Sequence, residues 1–291
     1  MNKIRAFYDK KNGILYINEH LGEEQVIFQL LKEIGFTKLA NDDRPYETLL
    51  SHEASFEKLL SNFKASYFAA ACLIPEESLE ADIKKISFEN KWKPDLISRL
   101  LKKYKVTPEM LLQRLTNLLP KKFSVYDLFF IRLRKEKNEY YRMTKELHLS
   151  RIHNPYNNQL NEHFCKRWLS VTTVQNIKDE IIVDAQISEY IDHNNKYLCI
   201  TIAQSESFSE KNPSSVTIGM LITPELRANF NFLKDGNIKK KTVHTTCERC
   251  PLMDCQERAA EATLIKAKKN ENEISKLLQQ LHQNKLEFVQ A

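Results

Sequence analysis

The chain has 291 residues, 42% of them hydrophobic, which gives room for one large or two ordinary domains with a real core. Its 44 Lys and Arg against 38 Asp and Glu leave a net charge of +6, a mild excess that permits an anionic ligand without demanding one. The five glycines, Gly13, Gly22, Gly35, Gly219 and Gly236, can build neither a P-loop nor a G-x-G-x-x-G turn, which excludes nucleotide-hydrolysing and Rossmann readings.

Residues 3–18 read as an opening hairpin turned at Asn12-Gly13, with strand composition in Ile14-Leu15-Tyr16-Ile17. Val26, Ile27, Leu30, Leu31 and Ile34 recur at helical spacing over residues 23–39. A second helix is expected from Ser55 to Pro75, and its wide apolar side predicts a central packing role. Residues 94–115 predict two short helices with Thr107 as N-cap and Pro108 at the first helical position. The second lacks the polar N-terminal face of a DNA-reading helix, so a packed helical pair is expected.

After Pro120 the texture turns strand-like, at residues 129–133, 139–143, 180–187, 196–203 and 215–222, and a lysine-rich strand-like segment precedes Cys247. The expected fold class is α+β, with a helical N-terminal part followed by an antiparallel sheet and a long C-terminal helix over residues 256–290. The expected divisions are 1–122, 123–260 and 261–291, the last offering a surface for a homodimer. No window approaches the ~20 apolar residues of a membrane span and no apolar stretch follows Met1-Asn2-Lys3-Ile4-Arg5, so a cytoplasmic chain is expected.

The densest chemistry lies in Cys247-Glu248-Arg249-Cys250-Pro251-Leu252-Met253-Asp254-Cys255, a C-x2-C-x4-C run. Thiols this close converge on one centre, a soft metal ion or an iron–sulfur cluster, and both take four ligands. Cys72 and Cys199 sit in apolar runs and read as small buried hydrophobes, whereas Cys165 stands in a polar stretch and is the candidate fourth ligand.

Two resemblances follow from these residues. Phe28-Gln29-Leu30 and Ala65-Ser66-Tyr67-Phe68-Ala69-Ala70-Ala71-Cys72-Leu73-Ile74-Pro75 resemble the IrrE/ImmA-type metallopeptidase domain. In that family an H-E-x-x-H helix holds zinc, with the glutamate as general base. Here Lys32-Glu33-Ile34-Gly35-Phe36 stands in its place, so the resemblance implies a degenerate, non-enzymatic scaffold. A divergent zinc metallopeptidase is the enzyme alternative.

Phe129-Phe130-Ile131-Arg132, Leu147-His148-Leu149-Ser150-Arg151, Cys165-Lys166-Arg167-Trp168, Lys196-Tyr197-Leu198-Cys199 and the cysteine run together resemble the short-chain fatty acyl-CoA regulators, bacterial transcription factors. That resemblance implies a sensor region holding a [4Fe-4S] cluster on Cys165, Cys247, Cys250 and Cys255, with zinc as the alternative occupant. It implies a short-chain acyl-CoA or CoA ligand, whose phosphates would meet Arg142, His148, Arg151, Lys166 and Arg167. DNA would be reached only through a helix-turn-helix domain that these residues do not include.

Overall fold

Gly13 turns the first hairpin with φ at +67°, a conformation that costs a residue with a Cβ. Asp9 anchors the turn, accepting from Asn12 Nδ2 at 2.7 Å. A computed structural model describes residues 4–39, 44–46, 55–136, 140–149, 162–178, 181–193, 195–205 and 212–289, with side chains to residue 281. Strands β1 (Ala6–Asp9) and β2 (Ile14–Ile17) pair antiparallel and lead into helix α1 (Glu23–Lys38).

Helix α2 (Phe56–Leu73) starts at Ser55, whose Oγ accepts from the Lys58 N–H at 3.4 Å. Its small residues, not its large ones, face inward: Ser61, Ala65 and Ala69 are buried. The cause is the close approach of α1 at Gly35, where a Cβ would lie 3.2 Å from the Ala65 Cα. Phe56, Leu59, Phe63 and Tyr67 are left exposed, and so is Cys72. This corrects both the central packing role expected of α2 and the buried position expected of Cys72.

Helix α3 (Glu76–Ser87), which the periodicity did not single out, connects to α4 (Pro94–Tyr104) and α5 (Pro108–Phe123). Thr107 caps α5 as expected, accepting from Met110 N at 3.4 Å. Pro120 does not end that helix; its missing N–H costs one bond in the last turn and the chain continues to Phe123. Leu111, Leu112, Leu115, Leu118 and Leu119 are all buried, so α5 is a core helix, in keeping with the expected packed helical pair.

A six-stranded sheet forms the body, in the order β4 (Tyr141–His148), β3 (Leu128–Lys135), β7 (Ser214–Leu221), β6 (Lys196–Gln204), β5 (Ile181–Tyr190), β8 (Lys239–Val243). Five of its strands are antiparallel to their neighbours, and β8 joins the edge parallel to β5, making the sheet mixed. One face packs on α3, α4 and α5 through Phe130, Leu198, Ile200, Ile202 and Ile218. The other packs on helix α6 (Leu169–Gln175) and the segment before it, through Phe129, Leu133, Tyr197, Cys199, Phe164, Cys165 and Trp168. Phe129 occupies the space over Gly219 on β7, where a Cβ would come within 2.1 Å of the ring.

After α7 (Pro224–Asn229) and a single 3-10 turn the chain runs into β8, then through the cysteine loop into α8 (Thr263–Val289). The last helix thus begins seven residues later than its apolar pattern suggested, because residues 256–262 are drawn into the cysteine loop. The whole is α+β, as the sequence predicted.

Candidate functional site

Cys165, Cys247, Cys250 and Cys255, distant by up to 90 positions, line one small recess of about 20 Å³ at the end of the sheet's second face. Local backbone pairing brings them there. Phe164 bridges to Thr246, Cys165 N–H donates to Thr245 O at 3.1 Å, and Cys247 N–H donates to His163 O at 2.9 Å. Cys165, Cys247 and Cys250 are buried and Cys255 is half-buried. Burial pushes the Cys165 thiol up to about 11 and also raises Cys250. Among the described residues, no three His, Cys, Asp or Glu side chains stand close enough together to hold a single metal ion.

Arg258 shapes the loop around the recess. Its Nη1 donates to Cys247 O at 2.6 Å, and its Nη2 to Cys250 O at 2.9 Å and Leu252 O at 2.6 Å, so one guanidinium fixes the carbonyls of a tight loop. Ala259 N–H donates to Cys247 Sγ at 3.3 Å. Two ion pairs fasten the loop to the segment carrying Cys165: Glu248 with His163 at 2.7 Å, and Arg249 bidentate on Glu162 at 2.6 and 2.8 Å. Arg249 holds the Glu162 carboxyl below the usual carboxylate range.

Several buried nitrogens around this recess have no hydrogen-bond partner among the described residues: Arg167 Nε, Trp168 Nε1, His244 Nδ1 and Arg258 Nε. His244 uses its other nitrogen on Asp192, at 2.6 Å. Buried polar groups are normally paired, so these nitrogens stand out beside the four thiols.

A second, larger cavity of about 750 Å³ lies on the sheet's other face, between α1, α2 and α5 and strands β3, β4, β6 and β7. Its walls carry Arg5, Lys32, Arg114, Arg132, Arg134, Arg142 and Lys145 against Glu109 and Glu146. A bulge in β4 opposite Arg132 and Leu133 makes this possible. It skips Thr144 in the register, so that Arg142, Lys145 and Leu147 share the cavity face. Lys145 and Arg132 pair with Glu109; burial alone would raise that carboxyl, and the two cations hold it below the usual range.

The place where the metallopeptidase resemblance puts a zinc helix is closed by the protein itself. Glu33 is clamped by both nitrogens of Arg44, and the guanidinium lies 4.5 Å from the Tyr8 ring centre and 4.3 Å from that of Phe36. Lys32 is buried beside this pair, 5.6 Å from the Phe36 ring, and burial lowers its pKa to about 8, helped by Lys145, Arg5 and Arg44. Among the described residues no zinc ligand set stands there, and Glu33 is engaged by Arg44 instead.

The structure splits the cationic residues that the sequence grouped together. Arg142 lines the large cavity, whereas Lys166 and Arg167 line the cysteine recess on the opposite face, Lys166 with its ammonium 4.8 Å from the Tyr141 ring and Arg167 facing Glu257 at 3.9 Å. His148 is buried, its ring 6.3 Å from Phe129. Arg151 lies outside the described residues. Sequence reasoning missed Arg258, Glu162, His163 and Arg249 at the cysteines, and Arg5, Lys32, Arg114, Arg132, Arg134 and Lys145 at the cavity. For Arg258 and Arg249 a signal existed, one three residues after the last cysteine and the other inside the cysteine run; the others join only through contacts across the fold.

Among the described residues no helix is long and apolar enough to cross a membrane. No curated protein matches the chain at a significant level. A solved Mycobacterium tuberculosis transcriptional regulator is similar in fold, with a TM-score of 0.61 and 18% identity over 90% of this chain and 76% of that one. The profile of the IrrE N-terminal-like domain, Peptidase_M78, matches residues 1–116, in agreement with the first of the two resemblances.

Proposed function

We propose that this chain is the ligand-sensing part of a bacterial transcription regulator, holding a [4Fe-4S] cluster on Cys165, Cys247, Cys250 and Cys255 and a short-chain acyl-CoA in the cationic cavity. The observation that carries the reading is the pair of built sites on opposite faces of one sheet. The cavity of about 750 Å³ is of the size that takes a small ligand, and its excess of guanidinium and ammonium groups suits phosphates. The recess offers four thiols and unpartnered N–H groups. On this reading the chain is not an enzyme, and DNA is contacted through another domain or partner.

Cluster chemistry here serves structure. Thiolate ligation would tie the C-terminal loop to the segment carrying Cys165, which ends in α6 against β6 and β7, the strands whose opposite face lines the cavity. Oxidative loss of the cluster would then loosen the ligand site. Ile274, Leu277, Leu278 and Leu281 form an exposed stripe on α8, and a second copy covering it would make the homodimer. Light scattering on the full chain and on Leu277→Glu/Leu281→Glu tests that part; a monomer in both cases removes it.

The deciding experiment is anaerobic purification followed by an absorption spectrum with iron, sulfide and zinc analysis, then titration with propionyl-CoA and with CoA. Broad absorption near ~400 nm with about four irons per chain, and saturable CoA-thioester binding weakened by Arg132→Glu, supports the reading. About one zinc per chain and no iron makes the cysteines a structural clamp. Metal-dependent peptide cleavage would favour the peptidase alternative.

A further inference from the structure

Lys32 is placed as no surface lysine is. It sits on the buried side of α1, with 8% of the residue exposed, and its side chain lines both the recess beside Arg44 and the large cavity. Among the described residues it makes no hydrogen bond or ion pair, and its close neighbour is the Phe36 ring at 5.6 Å. The nearby carboxylates are engaged elsewhere: Glu33 is held by Arg44, and Glu109 by Lys145 and Arg132. Burial first, then Lys145, Arg5 and Arg44, act against the Lys32 ammonium and outweigh the opposing charge of Glu33, a setting that penalises an ammonium and favours a negative group at the same position.

We infer that Lys32 is a carbon dioxide acceptor, a reversible carbamylation site in the wall of the cavity. The neutral Nζ attacks the carbon of CO2, an N–C bond forms, one C=O bond opens to a carboxylate, and one N–H proton leaves to solvent through the cavity. Nothing is oxidised or reduced. The product replaces a positive charge by a negative one among three cations. The amine is available for this at neutral pH. With its pKa near 8, about a fifth of Lys32 is unprotonated at pH 7.4, against about one in a thousand for an ordinary lysine. For the proposed ligand, and resting on that reading, carbamylation would weaken binding of a phosphate-bearing molecule by reversing one charge in its cavity.

The test uses the full chain with 13C-labelled bicarbonate at pH 7.4, observed by carbon NMR, and in parallel alkyl trapping of the carbamate with triethyloxonium followed by peptide mass mapping. The expected result is one saturable adduct per chain, on the peptide carrying Lys32, absent in Lys32→Met and reduced several-fold in Lys145→Gln. No resonance, or trapped adducts spread over other lysines with Lys32 empty, overturns the inference. Mapping in the unmodified sequence locates the adduct even if Lys32→Met fails to fold. Because no CoA compound is added, failure here is distinct from failure of the acyl-CoA titration.

Discussion

The pocket beside Glu33 and the recess beside Cys165 are of similar size, about 20 Å³ each, and they stand where the two sequence resemblances would put a metal centre. They differ in what their polar groups do. Beside Glu33 the carboxylate takes both Nη groups of Arg44 between aromatic rings, and Arg44 Nε has no hydrogen-bond partner among the described residues. Beside Cys165 the contacts Glu248–His163 and Arg249–Glu162 support the loop from outside, Arg167 Nε stands 3.9 Å from Glu257, and His244 Nδ1 has no hydrogen-bond partner among the described residues. The two places differ in their donors: a carboxylate–guanidinium pair at one and four thiols at the other.

The sharpest way to break this contrast is at the cysteines. Cys250→Ala and Cys165→Ala are each expected to abolish the absorption near ~400 nm after anaerobic purification, because three thiols do not retain the four-ligand centre. Substitutions at Glu33 should leave that spectrum untouched. They should instead report on stability. Glu33→Ala strands the Arg44 side chain, 11% exposed, and is expected to cost about 3–5 kcal/mol in urea denaturation, whereas Glu33→Leu/Arg44→Met together should recover most of that loss.

Arg258→Ala is expected to fall next, at about 2–3 kcal/mol, since it releases the carbonyls of Cys247, Cys250 and Leu252 at once. If Arg258 only shaped the loop, and the guest did nothing, the loss would be equal with and without anaerobic handling. A smaller effect is expected at Asp82, which accepts from Lys103 at 2.5 Å and Tyr104 at 2.7 Å. Burial pushes its carboxyl up, and these partners more than reverse that, so its folded pKa is depressed. Its contribution is then present above the unfolded value near 4 and is lost as pH falls through the lower folded value. Asp82→Asn should be about 1–2 kcal/mol less stable than the parent at pH 7, with the gap narrowing as pH falls below about 4 and closing only below the depressed folded pKa.

Local chemistry made much of the fold legible. Asn12-Gly13, Ser55 and Thr107-Pro108 each act within four residues of themselves, and each stands where its turn or cap chemistry placed it. The four cysteines were legible because soft ligands are few and clustered. What stayed hidden depends on contacts between distant segments. Glu162 and Arg249 are 87 positions apart, and the cavity cations come together only after the β4 bulge sets the register. Apolar content misled at α2, where the close contact through Gly35 and Ala65 reversed the expected orientation and left Cys72 outside.

The parallel strand β8 has a consequence for how this protein behaves in company. It forms one rim of the sheet, and its outer backbone groups could template a strand from another molecule. Lys239, Lys240 and Lys241 occupy three of its five positions, so two such rims repel before they can pair. A chain whose cysteine loop comes loose therefore retains a charged guard against aggregation.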